Sequence, residues 1–297
     1  MSELIQIGKP KIKLPSGENY QKVKRLIKTN RLHTICEEAK CPNLAECWSH
    51  GTATFLILGD TCTRWCGYCN VKTGKPYELD FEEPKKVADA VKKLNLKYVV
   101  ITSVTRDDLE DGGASIYADT VKEIKKITNC SVELLIPDFK IMDGKILKEG
   151  YLNVDALKTV IEAKPDVLAH NIEAVRRVFS RVRPGGNYDI SLQLLKTIKK
   201  INPKIPTKSS IILGFDETLD EIKETMQDLR ANDVDFLALG QYLQPSMRHV
   251  KIERYYTEKE FEKLKKLGLE MGFKHVEAGQ LVRSSYRADK LKSIINN

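Results

Sequence analysis

Three of the seven cysteines fall within eight residues, in the stretch "CTRWCGYC". Cys62, Cys66 and Cys69, here called the loop trio, have C-x3-C-x2-C spacing and can each bind one iron of a [4Fe–4S] cube. The fourth iron then has no cysteine from this trio and can bind another group. A structural zinc site is the main alternative, although zinc signatures typically combine two pairs of ligands. Reactive thiols without a metal are a weaker alternative.

A second group of three cysteines precedes the first in "CEEAKCPNLAEC". Cys36, Cys41 and Cys47, here called the N-terminal trio, have C-x4-C-x5-C spacing, which alone is only moderately specific for a cluster. Cys130 stands apart, between a predicted helix and an apolar strand, and we expect it to be a buried, inert thiol.

Predicted strands and helices alternate along the chain after about residue 50. The alternation gives six strand–helix units: 52–58 with 83–96, 97–102 with 114–128, 131–137 with 153–164, 166–171 with 188–202, 207–215 with 218–232, and 235–243 with 258–272. Short β-branched runs without clean alternation are typical of parallel strands covered on both faces by helices. Six units are fewer than the eight of a closed barrel. We therefore predict an α/β fold, a partial (β/α)6 TIM-like barrel.

The barrel prediction also divides the chain and places the loop trio. Residues 51–278 form the barrel, and two extensions, 1–50 and 279–297, are expected to pack on it. The loop trio directly follows the first strand, and loops after the strands form the functional face of parallel α/β folds.

Composition excludes several classes of protein. The 297 residues carry a net charge of +8 and 41% hydrophobic residues, and the apolar runs are too short to span a bilayer. The first residues show no apolar segment typical of a secretory signal, so we expect a cytoplasmic protein, in which clustered cysteines bind metals more often than they form disulfides. The sequence has no basic tract interleaved with aromatic residues, so it does not predict nucleic-acid binding. The basic residues before residue 30 are either a solvated terminus or a docking element.

The loop trio with Tyr68, C-x3-C-x-Φ-C, resembles the signature of radical S-adenosylmethionine enzymes. The resemblance implies that the open iron of the cluster binds the methionine part of S-adenosylmethionine, with Tyr68 near its adenine. Reduction of the cluster would then cleave the cofactor to a 5′-deoxyadenosyl radical.

With the N-terminal trio, the sequence resembles one family within this superfamily, lipoyl synthase, over nearly the whole chain. The matching blocks are "CEEAKCPNLAECW" (36–48), "GTATFLILGDTCTRWCGYCNVKTGKP" (51–76), "TSVTRDDLEDGGA" (102–114), "HNIEAV" (170–175), "RVRPG" (181–185), "LGQYLQPS" (239–246) and "LVRSSY" (281–286). The resemblance implies a second, auxiliary [4Fe–4S] cluster on the N-terminal trio, with Ser285 of "RSSY" as its fourth ligand. A serine pair near a C-terminus is otherwise usually a cap or a turn.

The implied activity is radical insertion of two sulfurs, at C6 and C8, into a protein-bound octanoyl-lysine, with both sulfurs supplied by the auxiliary cluster. Unactivated methylenes have no acidic proton, so a radical is required. The implied partners are octanoylated lipoyl carrier domains or the glycine-cleavage H protein, a low-potential electron donor and an iron–sulfur cluster delivery protein, without nucleic acid or membrane. Two alternatives are an iron–sulfur electron-transfer or cluster-carrier protein without radical chemistry, and a radical enzyme with another sulfur-insertion reaction.

Two further residues are candidate cofactor contacts. Asn171 ends a predicted strand and either faces the cofactor or caps the helix after it. Arg183 either pairs with a carboxylate or lies in a solvated turn. The chain departs from the family at Trp65 and Gly67, where basic residues are common.

Overall fold

The computed structural model describes residues 17–50, 52–143 and 146–295. Positions 9, 11 and 13 of the basic N-terminal segment lie outside the described residues. Within the described part of the chain, no helix is both long and apolar enough to cross a membrane.

Twelve strands lie in the described residues, eight of them in one sheet. They are β1 (His33–Thr34), β2 (Thr54–Ile57), β3 (Thr61–Cys62), β4 (Lys72–Thr73), β5 (Tyr98–Ser103), β6 (Ser131–Leu135), β7 (Lys140–Asp143), β8 (Ile146–Leu152), β9 (Val167–Ala169), β10 (Thr207–Leu213), β11 (Phe236–Gln241) and β12 (His275–Gly279). The sheet order is β1-β2-β5-β6-β9-β10-β11-β12, with β1 antiparallel to β2 and every other neighbouring pair parallel. The sheet does not close between β12 and β1 in the described residues, so the fold is the expected partial barrel.

Eleven α-helices accompany these strands in the described residues. They are α1 (Glu18–Thr29), α2 (Ile35–Glu38), α3 (Leu44–Ser49), α4 (Glu83–Lys93), α5 (Ala114–Ile127), α6 (Val154–Glu162), α7 (Arg176–Val182), α8 (Tyr188–Ile201), α9 (Leu219–Ala231), α10 (Glu258–Glu270) and α11 (Leu291–Ile295). Helices α4, α5, α6, α8, α9 and α10 follow the strands predicted to precede them. All six strand–helix units are therefore confirmed.

The helix starts have local causes in the sequence. The Asn153 side chain accepts a hydrogen bond from the backbone N–H of Ala156 and caps α6. Thr218 and Thr257 begin α9 and α10 with complete capping boxes. Pro84 lies in the first turn of α4, where its missing N–H costs nothing.

The alternation does not predict β12, the seventh parallel strand. This strand lies at an edge of the sheet, and only two of its five residues are buried. In contrast, all four residues of β2 are buried, because helices and the barrel interior cover its two faces. Half-buried edge strands carry polar residues such as His275 and Glu277 and so lack the apolar run that marks the inner strands.

The C-terminal segment packs at the amino-terminal ends of the barrel strands. Ala288 and Leu291 form an apolar cluster with Tyr98, Val167 and Phe236, which are the first residues of β5, β9 and β11. This contact holds the chain in place just after "RSSY" and so limits where residues 281–286 can lie relative to the barrel interior.

Candidate metal and cofactor site

A cavity of about 930 Å³ occupies the barrel interior and reaches the loops after the strands. All ten site residues expected from the sequence line it: Cys36, Cys41, Cys47, Cys62, Cys66, Tyr68, Cys69, Asn171, Arg183 and Ser285. The structure thus brings into one cavity two trios and a C-terminal serine that lie far apart in the chain.

The loop trio lies on the segment that follows β2. Two backbone N–H groups, of Arg64 and Thr105, donate to the Cys62 sulfur at 3.4 and 3.3 Å. Burial is the main cause that raises the pKa of the Cys66 thiol, with a smaller contribution from Cys62. Burial, with smaller contributions from Cys66 and Cys62, raises the pKa of the Cys69 thiol to about 12. Buried thiols of this kind ionise when a cation replaces the proton, so the donor set fits a metal cluster.

Arg64 fixes the loop trio to the barrel. Its guanidinium donates to Asp107 Oδ1 at 2.6 Å and to Asp138 Oδ2 at 2.7 Å, and only 8% of the Arg64 side chain is exposed. Burial alone would raise the pKa of Asp138, but the charge of Arg64 lowers it to about 2. Since Asp107 follows β5 and Asp138 follows β6, Arg64 joins the cysteine loop to the ends of two neighbouring strands.

Gly67 allows this loop to pack closely against two other segments. Its N–H donates to the Val182 carbonyl at 2.8 Å, and its carbonyl accepts from the Val250 N–H at 2.8 Å. A Cβ atom at position 67 would lie 2.5 Å from Val250 Cγ2. The departure from basic residues at this position therefore has a packing reason in this chain.

The N-terminal trio lies on two short helices and the turn between them. Cys36 is in α2 and Cys47 in α3, and the Cys41 N–H donates to the Cys36 carbonyl at 3.0 Å. Burial raises the pKa of the Cys36 and Cys47 thiols to about 12, and the Cys41 thiol adds to both shifts. The fully buried Trp48 of α3 contacts the ring of Tyr20 in α1, so α1 holds this trio in place.

Three contacts join the N-terminal trio segment to the "RSSY" segment. Asn43 Nδ2 donates to the Leu281 carbonyl at 2.6 Å. The Tyr286 hydroxyl donates to Glu46 Oε1 at 3.3 Å, and the Arg287 guanidinium lies 3.5 Å from the same oxygen. These contacts bring Ser285 to the side of the cavity that carries the N-terminal trio.

The two serines of "RSSY" have different surroundings. Both line the main cavity, but Ser284 also lines a second, much smaller pocket, whereas Ser285 does not. The segment can approach β11 because residue 240 is glycine: a Cβ there would lie 2.1 Å from the Val282 carbonyl oxygen.

A set of polar groups surrounds the loop trio. Asn171 Nδ2 donates to Glu173 Oε1 at 3.1 Å, and Arg183 Nη1 donates to the Asn171 carbonyl at 2.7 Å. Asn171 Oδ1 is buried and has no partner in the described residues, which is unusual for a buried acceptor and fits a ligand with hydroxyl or amino donors. Helix α7 begins at Arg176 with Val175 at its N-cap, so the alternative that Asn171 caps this helix is wrong.

Glu173 is the site residue that sequence reasoning missed. Its backbone has a φ of 71°, in the left-handed region that non-glycine residues rarely adopt, and its carboxylate lies beside Tyr68 and Arg183. Burial raises the pKa of Glu173, although Arg183 opposes the shift. Its place in "HNIEAV", two residues after Asn171, was the available signal.

Much of the remaining lining is apolar and comes from several strands. It includes Val100, Val104, Leu135, Ile136, Ile212 and Leu243. A cavity with apolar walls and a few placed polar groups is typical of a site for an elongated organic ligand. In the described residues, no three His, Cys, Asp or Glu side chains are arranged to hold a single metal ion. In a cluster, by contrast, each thiolate binds a different iron.

Cys130 is buried, as expected, and does not line this cavity. Burial raises the pKa of its thiol to about 12. No disulfide bond joins any of the seven cysteines, all of which lie in the described residues.

Family models and individual relatives place this sequence in the same family. Residues 56–229 match the Radical SAM superfamily, and residues 9–41 match the N-terminal domain of lipoyl synthase of the Radical SAM family. Lipoyl synthase of Rubrobacter xylanophilus is 52% identical over 285 residues, 95% of this chain and 85% of that protein. Lipoyl synthase of Staphylococcus haemolyticus is also 52% identical, over 94% of this chain and 89% of that protein.

Two solved structures share the fold at low sequence identity. HydG, a maturase of the [FeFe]-hydrogenase, superposes with a TM-score of 0.56 at 14% identity, over 88% of this chain and 57% of that chain. Methylornithine synthase superposes with a TM-score of 0.54 at 14% identity, over 94% and 88% of the two chains.

Proposed function

This chain belongs to the lipoyl synthase family of radical S-adenosylmethionine enzymes, and on that premise we propose that it inserts two sulfurs, at C6 and C8, into a protein-bound octanoyl-lysine. The observation that carries the proposal is the convergence of both cysteine trios and Ser285 on one cavity with apolar walls. When bound, the groups on the loop trio supply a radical that removes hydrogen from unactivated carbons, and the auxiliary cluster supplies the sulfur.

The loop trio holds the first [4Fe–4S] cluster in this proposal. Arg64, fixed by two carboxylates, sets the position of the loop, and the N–H donors to Cys62 stabilise negative charge on that sulfur. Tyr68, Asn171, Glu173 and Arg183 form the cradle for S-adenosylmethionine. The unpartnered Asn171 oxygen and the Glu173 carboxylate are acceptors for its hydroxyl or amino groups.

Cys36, Cys41, Cys47 and Ser285 hold the second, auxiliary cluster. A serine oxygen is a harder ligand than thiolate and less well matched to iron, so Ser285 would be the protein ligand that the cluster loses most easily. The hydrogen bond between Asn43 and Leu281 holds the serine segment against the trio segment. By segment, residues 1–50 and 279–297 carry the auxiliary ligands and residues 51–278 carry the radical machinery.

The apolar lining holds the octanoyl chain between the two sets of ligands. Burial of methylenes against Val104, Leu135 and Ile212 stabilises the bound chain by about 0.8 kcal/mol for each CH₂. The carrier is an octanoylated lipoyl domain or the glycine-cleavage H protein. A low-potential donor supplies electrons, and a cluster-delivery protein replaces the consumed auxiliary cluster, in the cytoplasm, where thiols stay reduced.

The test uses anaerobic, reconstituted protein with reductant, S-adenosylmethionine and an octanoylated carrier domain. Mass spectrometry of the carrier should show the gain of two sulfurs together with release of 5′-deoxyadenosine. Iron analysis should give about eight irons per chain, and about four in a Cys36/Cys41/Cys47→Ala variant that no longer forms lipoyl. About four irons in both proteins would contradict two clusters, and absence of 5′-deoxyadenosine would favour an electron-transfer or cluster-carrier protein.

A further inference from the structure

Four exposed side chains lie beside the cavity on two adjoining loops: Trp65, Met247, Arg248 and Lys251, here called the rim patch. Trp65 is 70% exposed and Met247 is 94% exposed. Both residues are close in sequence to residues that line the cavity. Trp65 lies between the lining residues Arg64 and Cys66, and Met247 follows the lining residues Gln244 and Pro245 by two positions or more. None of the four is used by the site described above.

The two loops of the rim patch are joined directly. Val250 N–H donates to the Gly67 carbonyl at 2.8 Å, and His249 Nε2 lies 3.0 Å from the Cys69 carbonyl oxygen. Trp65 is two residues from Gly67, so their Cα atoms are at most about 8 Å apart. Met247 is three residues from Val250, so their Cα atoms are at most about 11 Å apart. Both therefore fall within the footprint of one standard interface, which covers about 800 Å² on each partner.

The chemistry of the rim patch is that of a protein-binding surface. Tryptophan, methionine and arginine are enriched in interfaces, and large apolar side chains exposed together mark interaction sites. Arg248 and Lys251 are both exposed, and neither forms a salt bridge with another described residue, so both cations are accessible to a partner. The cavity also borders exposed residues near the N-terminal trio, including Lys40, His50 and Arg287, but among the residues that the structure describes no large apolar side chain lining the cavity there is exposed.

The substrate arm limits where its carrier can sit. Fully extended, an octanoyl-lysine arm spans about 16 Å from its terminal carbon to the lysine Cα, since about 13 bonds of about 1.5 Å follow a zigzag path. The reacting carbons must lie in the cavity, so the folded carrier must contact the loops around it. We propose that the rim patch docks the carrier domain, with Trp65 and Met247 against its apolar residues and the two cations against its carboxylates. This inference rests on the proposed function.

The test compares two double variants, Trp65→Ala/Met247→Ser and Arg248→Glu/Lys251→Glu, with wild type. Each is assayed with an octanoylated carrier domain and with a short octanoyl-lysyl peptide, using dithionite so that no protein donor takes part. For the carrier domain we expect KM and the directly measured Kd to rise at least about tenfold, with kcat within about twofold. For the peptide, kcat/KM should stay within about twofold of wild type.

The matched control is Leu269→Ala/Lys266→Glu on α10, which changes one exposed apolar residue and one exposed cation away from the cavity. An unchanged Kd for the carrier in both rim variants would overturn the proposal, as would an equal loss with the short peptide. A Kd increase from Lys40→Glu but not from the rim variants would overturn the proposal and place docking near the N-terminal trio, where Lys40 borders the cavity. In a parallel assay with a protein reductant in place of dithionite, a defect that appears only there would contradict carrier docking and assign the patch to the electron donor instead.

These outcomes are separate from failure of the proposed function. If wild type adds sulfur to neither substrate, the proposed function fails. The Kd of the carrier domain for wild type and for the rim variants still decides docking in that case.

Discussion

Asn43 donates a hydrogen bond of 2.6 Å to the carbonyl of Leu281, across 238 residues of sequence. Asn43 is 3% exposed and lies between Cys41 and Cys47, and Leu281 begins the segment that carries Ser285. One part-buried hydrogen bond thus couples the position of the proposed fourth ligand to the position of the three cysteines.

Replacing Asn43 with alanine should loosen the serine segment. The lost hydrogen bond leaves the part-buried Leu281 carbonyl without its donor, at a cost of about 1 kcal/mol. We expect Asn43→Ala to lose iron from the auxiliary site faster than wild type, measured as chelator-accessible iron over time, while 5′-deoxyadenosine release persists. Asn19→Ala is the control, because it removes an exposed hydrogen bond to Ser49. Equal iron retention in Asn43→Ala and wild type would contradict the coupling.

Substitutions of the two serines of "RSSY" should have different effects on lipoyl formation. Ser285→Ala should reduce lipoyl formation at least about a hundredfold, because the auxiliary cluster loses a ligand, and should leave cofactor cleavage within about threefold. Ser284→Ala, the matched neighbour, should keep most of the sulfur insertion. Electron paramagnetic resonance of the reduced Cys62/Cys66/Cys69→Ala variant isolates the auxiliary cluster and should change only with the Ser285 substitution. Lipoyl formation by Ser285→Ala at the wild-type rate would disprove the ligand assignment.

Arg64 should control cofactor cleavage and not sulfur donation. Arg64→Lys keeps the charge but cannot bind Asp107 and Asp138 in the same fixed geometry. We expect slower 5′-deoxyadenosine formation, by at least about tenfold, and a changed signal from the loop cluster, with normal iron at the N-terminal trio. Arg177→Lys, which replaces an exposed arginine that pairs with Glu221, should have no effect. An unchanged loop-cluster signal in Arg64→Lys would exclude the positioning role.

His170 should make stability depend on pH. Burial and nearby Arg183 lower the pKa of His170 to about 4, and its Nδ1 lies 2.9 Å from the Ile136 carbonyl oxygen. The unfolded chain binds the proton near pH 6.5 and the folded chain does not until about pH 4, so the free energy of unfolding falls as pH drops through this range. The expected loss is about 2 kcal/mol between pH 6.5 and 4.5.

Urea unfolding of wild type and His170→Gln measures this dependence. The substitution should remove most of the loss between pH 6.5 and 4.5, whereas His50→Gln, at an exposed position, should not. Parallel pH curves for wild type and His170→Gln would rule out His170 as the cause.

The local features of the fold were predictable because they have local causes. Apolar runs such as "YVVI" (98–101), capping residues such as Asn153 and the cysteine spacing in 62–69 act through neighbours in sequence. The family resemblance then connected the two trios to Ser285. The same logic fails for β12, whose residues become a strand only by pairing with β11.

The sequence by itself determined the alternation of strands and helices, the two trios and the family. Only the tertiary structure decided which polar groups face one another: Glu173 beside Tyr68 and Arg183, Arg64 between two carboxylates, and Asn43 on Leu281. It also decided that Asn171 does not cap α7 and that Trp65 and Met247 lie on adjoining loops. The physical reason is that hydrogen bonds, ion pairs and burial depend on distance in space, and segments far apart in sequence become neighbours only when the chain packs.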